Sequence, residues 1–339
     1  MPALAAGHDA SLATLRMRND GGPRGCGMPD GVVRVGFTYD LARFLPFRDA
    51  AACARVRAIP RARLCEHENP EFRIGIMEDA ASLYAAFAAD LVGRIARSAE
   101  AGQRLVLILP VGPVPQYRLA ARQINDLRLD CRHVHTFNMD EYADEDGHTA
   151  PLDWPGSFQR AMWENFFGLI DRALRPPESQ IHFPTRAAIA SYSDRIEALG
   201  GADVCYGGIG WSGHIAFWEP HLADAVEGDL AAYRAAGARL VELHPMTVMQ
   251  NALHSFGGDW SWVPPKANTI GPRDILGAKQ RSFWLDGDLG GGVSWQRFIA
   301  RLVAHGPVDP RVPGSLLQTV PGTYTLLGGV ADDVAIHMA

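Results

Sequence analysis

From Phe72 onward the apolar positions fall into regular, alternating elements. Phe72 to Met77 reads as a strand, and Leu83, Phe87, Leu91 and Ile95 then recur every four residues along one face of a helix. Leu105 to Leu109 is an unbroken apolar run, the pattern of a parallel strand covered on both faces. A helix over Gln116 to Leu127 leads to a third strand, His133 to Phe137, and helical patterns follow over Ser157 to Phe167 and Ala187 to Leu199. Ala202 to Tyr206 and Arg281 to Leu285 read as further strands, and Gly290 to Gly292 as a turn before a helix over Trp295 to Ala304. Residues 1–70 are rich in Gly, Pro, Ala and Arg and read as an N-terminal extension with one short strand, Val32 to Phe37. Residues 71–339 are expected to form a single α/β domain.

Composition narrows the partners. A chain of 339 residues, 47% of them apolar, has ample material for a buried core. The formal charge of -6 and the lack of any basic block argue against nucleic acid or an anionic membrane and favour a small molecule. Five scattered cysteines without a Cys-x-x-Cys spacing read as reduced thiols. Neither a membrane-length apolar run nor a secretory signal pattern is present, so a cytoplasmic location is expected.

The candidate chemistry lies in three loops that follow strands: Pro110 to Pro115, Asn138 to Glu141, and Gly207 to His214. In an open parallel sheet such loops converge at the carboxyl ends of the strands. Asp140 and Glu141 put two carboxylates at a strand end; adjacent side chains on extended backbone point apart, so one would face a substrate and the other would hold the loop. Gly208, Gly210 and Gly213 permit tight turns and close approach of a ligand to backbone. His214 is a proton carrier, and Glu219 is placed to orient or charge it.

The stretches Thr136 to Tyr142 and Gly207 to Pro220, together with Leu109, Pro110, Gly112, Pro115 and the segment from Val263 to Gly271, resemble the glucosamine-6-phosphate deaminase/isomerase family. Its wider superfamily includes the 6-phosphogluconolactonases. The resemblance covers roughly residues 72 to 330 and implies a modified Rossmann-like parallel-sheet domain with helices on both faces, no cofactor and no metal. It also implies a homo-oligomer and a sugar substrate. Asp140 would carry a proton between C2 and C1 of the sugar, with Glu141 beside it; His214 would assist ring opening, with Glu219 as its partner.

Two departures stand out. Ser212 occupies the place where the family usually has an aspartate beside the histidine. Where the family has a hydroxyl-rich phosphate loop, this chain has Val111, Gly112, Pro113, Val114 and Pro115, and Pro113 lacks a backbone N–H. The phosphate-binding lysine expected after the Arg281 to Leu285 strand and the arginine expected near Asn251 to Phe256 are both missing. Arg273 is either a replacement anion partner or a surface guanidinium, and Trp211 and Trp218 are candidates to stack on an uncharged sugar. The expected activity is therefore that of an isomerase or deaminase acting on a sugar held without the usual phosphate site. The alternatives are a sugar-lactone hydrolase and a non-catalytic sugar sensor.

Overall fold

Each central strand carries side chains to two buried faces, which is why its sequence is apolar throughout. The computed structural model describes residues 39–290 and 292–336. The strand expected at Val32 to Phe37 lies outside them.

The strands are β1 (Phe72–Met77), β2 (Leu105–Leu109), β3 (Val134–Asn138), β4 (Asp140–Ala143), β5 (Ile181–His182), β6 (Val204–Gly207), β7 (Arg239–Glu242), β8 (Lys266–Thr269), β9 (Gln280–Leu285), β10 (Asp288–Gly290), β11 (Val293–Ser294) and β12 (Gly322–Leu327). The α-helices are α1 (Ala50–Arg57), α2 (Ala80–Glu100), α3 (Val114–Asp126), α4 (Phe158–Asn165), α5 (Tyr192–Ala198), α6 (Leu230–Ala235), α7 (Pro245–Ser255), α8 (Pro272–Gly277), α9 (Arg297–His305) and α10 (Gly328–Ala331).

Seven strands form one sheet in the order β1-β12-β9-β6-β2-β3-β5, and every pairing in it is parallel. Along β2, Val106 and Ile108 join a core cluster that includes residues of α1, α5, α8 and α9. Leu105, Leu107 and Leu109 join a second cluster built with α2, α3 and α4. The Rossmann-like expectation therefore holds, with helices covering both faces. The α2 face predicted from its four-residue period is buried: Leu83, Phe87 and Leu91 are 0% exposed. Each such side chain contributes on the order of 2 kcal/mol of apolar burial.

A compact unit begins at Leu41. Within it α1 lies against α9, Val56 and Leu64 are fully buried, and the Arg301 guanidinium donates to the carbonyls of Ile59 and Ala331. Val56 and Leu64 thus join the core cluster that includes residues of α9.

Strands β4, β8 and β7 form a small antiparallel sheet beside the main one. It starts where β3 ends, so Asp140 is the first residue of β4 and pairs with Thr269. The order of strand addition reverses around β2: β3 and β5 are laid down on one side, and β6, β9 and β12 on the other. A crevice opens at the carboxyl ends of strands where such a reversal occurs.

Candidate active site

The loops after β2, β3, β6 and β9, four adjacent strands, surround a cleft of about 240 Å³. Pro110, Gly112 and Pro113 come from the first loop, Asp140 from the second, Gly208, Gly210 and His214 from the third, and Asp286 from the fourth. Helix α7 closes one side with Gln250, Asn251 and His254, and α3 contributes Gln116.

Asp140 and Glu141 part company as alternation requires. Asp140 lines the cleft, and burial, reinforced by the charge of Glu141, pushes its carboxyl up to about 8. Glu141 is 0% exposed and accepts four hydrogen bonds, from the backbone N–H groups of Tyr142, Phe158 and Gln159 and from the Ser157 hydroxyl, at 2.7–3.0 Å. It ties β4 to the N-terminus of α4. Its expected place among the catalytic groups is corrected on this geometry: it holds the loop and is absent from the cleft wall.

His214 sits at the bottom of a tight turn in which Gly213 N–H donates to Gly210 O and Gly210 N–H to His214 O. Gly213 has φ +87°, a left-handed conformation that glycine adopts without strain. Gly210 is required by space, since a Cβ there would lie 2.0 Å from His214 Nε2. The imidazole Nδ1 lies 2.9 Å from Ser212 Oγ and 3.0 Å from Thr247 Oγ1. Thr247 donates to Glu219 Oε2 at 3.0 Å, and Glu219 Oε1 accepts from the His244 N–H at 3.2 Å. A hydroxyl that gives its hydrogen to Glu219 has a lone pair left for an Nδ1–H, so this chain of bonds leaves Nε2 as the acceptor. Burial draws the His214 pKa down to about 3 and raises that of Glu219 to about 8, so at neutral pH the imidazole is neutral and the carboxyl holds a proton. The two are 3.7 Å apart and are bridged by Thr247 rather than by a direct ion pair.

Comparison with known proteins decides the family. The chain is 34% identical over 214 residues to a glucosamine-6-phosphate deaminase of Caenorhabditis elegans, which covers 60% of this chain and 73% of that protein. It is 32% identical over 236 residues to glucosamine-6-phosphate deaminase 2 of Giardia intestinalis, covering 67% and 80%. The chain belongs to the glucosamine-6-phosphate deaminase family. It is thus a member of a family of enzymes. Other relatives match over less of their length, as for glucosamine-6-phosphate deaminase 1 of Mus musculus, where 33% identity extends over 55% of that protein. No family model matches the chain. Among solved structures, a monomeric glucosamine-6-phosphate deaminase aligns with TM-score 0.63 at 24% identity, over 76% of this chain and 98% of that one. A 6-phosphogluconolactonase from Thermotoga maritima aligns with TM-score 0.51 at 16% identity, over 75% and 98%. These two likenesses show the fold.

Within this family member, several residues expected to touch substrate lie elsewhere. Ala216 has φ +54°, and the bridge between Ile215 and Trp218 folds the loop back on itself. Trp218 is thereby buried against Tyr233 and under the Arg239 guanidinium, away from the cleft. Trp211 is partly exposed beside Met246 and Met249 in a separate apolar groove. Arg273 pairs with Asp194 at 3.1 Å and with Glu197 on the surface, so it is not a replacement anion partner. Gly213 packs toward Val312, and Ser212 supports His214 from behind. His244 caps α7, accepting from Met246 N–H.

Thr247, Gln250, Asn251 and His254 were not picked out from the sequence. They repeat at helical spacing along α7, and that polar stripe was the available signal. Gln116 and Asp286, brought together from α3 and the end of β9, had no local signal at all.

Among the described residues no group of three or more His, Cys, Asp and Glu side chains could hold a metal ion, and no helix is long and apolar enough to cross a membrane.

Proposed function

We propose that this protein moves a proton between C2 and C1 of an amino sugar or closely related sugar, held otherwise than through a cationic phosphate site. The observation that carries the reading is the position of Asp140: a carboxyl group at the start of β4, facing the same cleft as a neutral His214.

His214 Nε2 accepts the C1 hydroxyl proton and passes it to the ring oxygen as the bond from that oxygen to C1 breaks, and Thr247 and Glu219 hold the imidazole in the tautomer that allows this. Asp140, once ionised, takes the proton from C2 of the open aldehyde. The C2–H electron pair forms the C1–C2 double bond while the carbonyl pair moves onto the C1 oxygen, which takes a proton from the C2 ammonium, giving an enolamine with a hydroxyl on C1. The same carboxyl returns the proton to C1, and the product is a ketose imine at C2. Water then adds at C2 and ammonia leaves; for a sugar with a hydroxyl at C2 the same transfer ends at the ketose. Names of the family's relatives support the deaminating version.

Asp140→Asn keeps the side chain's shape and removes the base. The expected outcome is a loss of kcat of about a thousandfold or more with little change in ligand affinity. Turnover within tenfold of the unaltered protein would overturn the reading. The lactone-hydrolase alternative draws on the same His214 lone pair, which could activate water; it predicts acid release from a sugar lactone in a reaction insensitive to Asp140→Asn.

A further inference from the structure

On the reading that this cleft is the sugar site, we infer that its end formed by Asp286, Gln116 and Trp295 selects an uncharged, hydroxylated sugar terminus and discriminates against a phosphorylated one. Four observations converge.

First, no lysine or arginine is among the described residues lining the cleft, so a phosphate dianion would meet no permanent cation there. His254 gives little help, because burial lowers its pKa from the ordinary value even with Asp286 nearby.

Second, the loop after β2 has few free N–H donors. Pro113 and Pro115 have none, and the Val114 N–H already donates to Gly112 O at 2.8 Å. The start of α3 is therefore a poor anion cradle.

Third, Asp286 is an acid in the cleft wall that remains accessible while walled in by its neighbours, and that enclosure raises its pKa. It receives the Gln116 amide N–H at 3.3 Å. A phosphate beside it would face a like charge in a partly desolvated space; sugar hydroxyls would donate to it.

Fourth, the polar atoms around Asp286 are of both kinds and are unused. Gln116 is 1% exposed and its Oε1, an acceptor, has no partner. Trp295 Nε1, a donor, also has none. A hydroxyl both donates and accepts, so it matches a mixed set; a phosphate dianion only accepts. A buried acceptor left unpaired is costly, which makes the match a source of selectivity.

The test is calorimetric titration of the full chain with 2-amino-2-deoxyglucitol and with its 6-phosphate, reduced sugars that bind without any proton transfer. The expected result is that the neutral compound binds about tenfold or more tightly than the phosphate, and that Asp286→Asn weakens the neutral one by about tenfold while narrowing the gap. Asp286→Lys, checked for folding by circular dichroism, is expected to reverse the preference. Equal or tighter binding of the phosphate by the unaltered protein overturns the inference, as does failure of both compounds to bind. Because no turnover is required, the result is independent of whether Asp140 transfers a proton. Loss of the Asp140 reading with this preference intact would leave a selective binder of neutral sugars.

Discussion

At the scale of single residues, the functional argument turns on three buried titrating groups whose protonation is set by their surroundings. Asp140 must be ionised to take a proton from carbon, and with a carboxyl pushed up to about 8 it is mostly protonated at neutral pH. The free enzyme's kcat/KM is therefore expected to rise with pH and level off above about 8. Glu219 is raised to a similar value but only supports the histidine, so Glu219→Gln should lower activity and leave that inflection in place. A flat profile between pH 6 and 9 would contradict the assignment of Asp140 as the base. The motif residues Asp140, His214 and Glu219 were legible in the sequence because their neighbours form a long recognisable run. What the run did not disclose was direction. Trp218 is turned into the core by the left-handed Ala216, and Arg273 is claimed by two acids from α5. Neither fact is a property of the local sequence.

At the scale of elements, strong periodicity predicted position well. β1 and β2 have the limits expected of them, and α2 buries the expected face. β12 was not seen. Its Thr323, Tyr324 and Thr325 interrupt the apolar run, and its place between β1 and β9 comes from pairings with strands far away in the chain. β4 was invisible for a similar reason: it is four residues long, and only its ladder with β8 makes it a strand. Glu141 shows how such a short element is secured, by one carboxylate gathering four donors across β4 and the start of α4. In Glu141→Gln one acceptor oxygen becomes an NH₂ facing donors. The expected loss of stability is about 2 kcal/mol, read by urea unfolding, and the pH inflection of the remaining activity should move down, because the charge of Glu141 helps to raise the Asp140 carboxyl. A stability within error of the unaltered protein would show that the four bonds are not holding β4 to α4.

At the scale of the whole molecule, the site's buried groups feed back on stability. Asp140 and Glu219 have ordinary values of 3.8 and 4.5 and folded values of about 8, so above about pH 4.5 the folded state holds protons that the unfolded state has lost. Their contribution to stability is present at low pH and disappears as the pH climbs to about 8. His214 works oppositely: its ordinary 6.5 falls to about 3, so its neutral burial costs stability as the pH drops below 6.5. From pH 6.5 to 8 only the carboxyls titrate. The melting temperature is expected to fall across that window, and less so in the double variant Asp140→Asn with Glu219→Gln. An unchanged slope in the double variant would mean that other groups set the dependence.

The central claim is the movement of a proton on carbon, and the most direct measurement is carbon-bound deuterium. The protein is incubated in deuterated water with glucosamine and with glucosamine 6-phosphate, and deuterium at C1 and C2 is followed by NMR alongside ammonium release. The account predicts deuterium at carbon in the unaltered protein, none in Asp140→Asn, and faster incorporation from the unphosphorylated sugar. Deuterium incorporation or ammonium release that survives Asp140→Asn would contradict it.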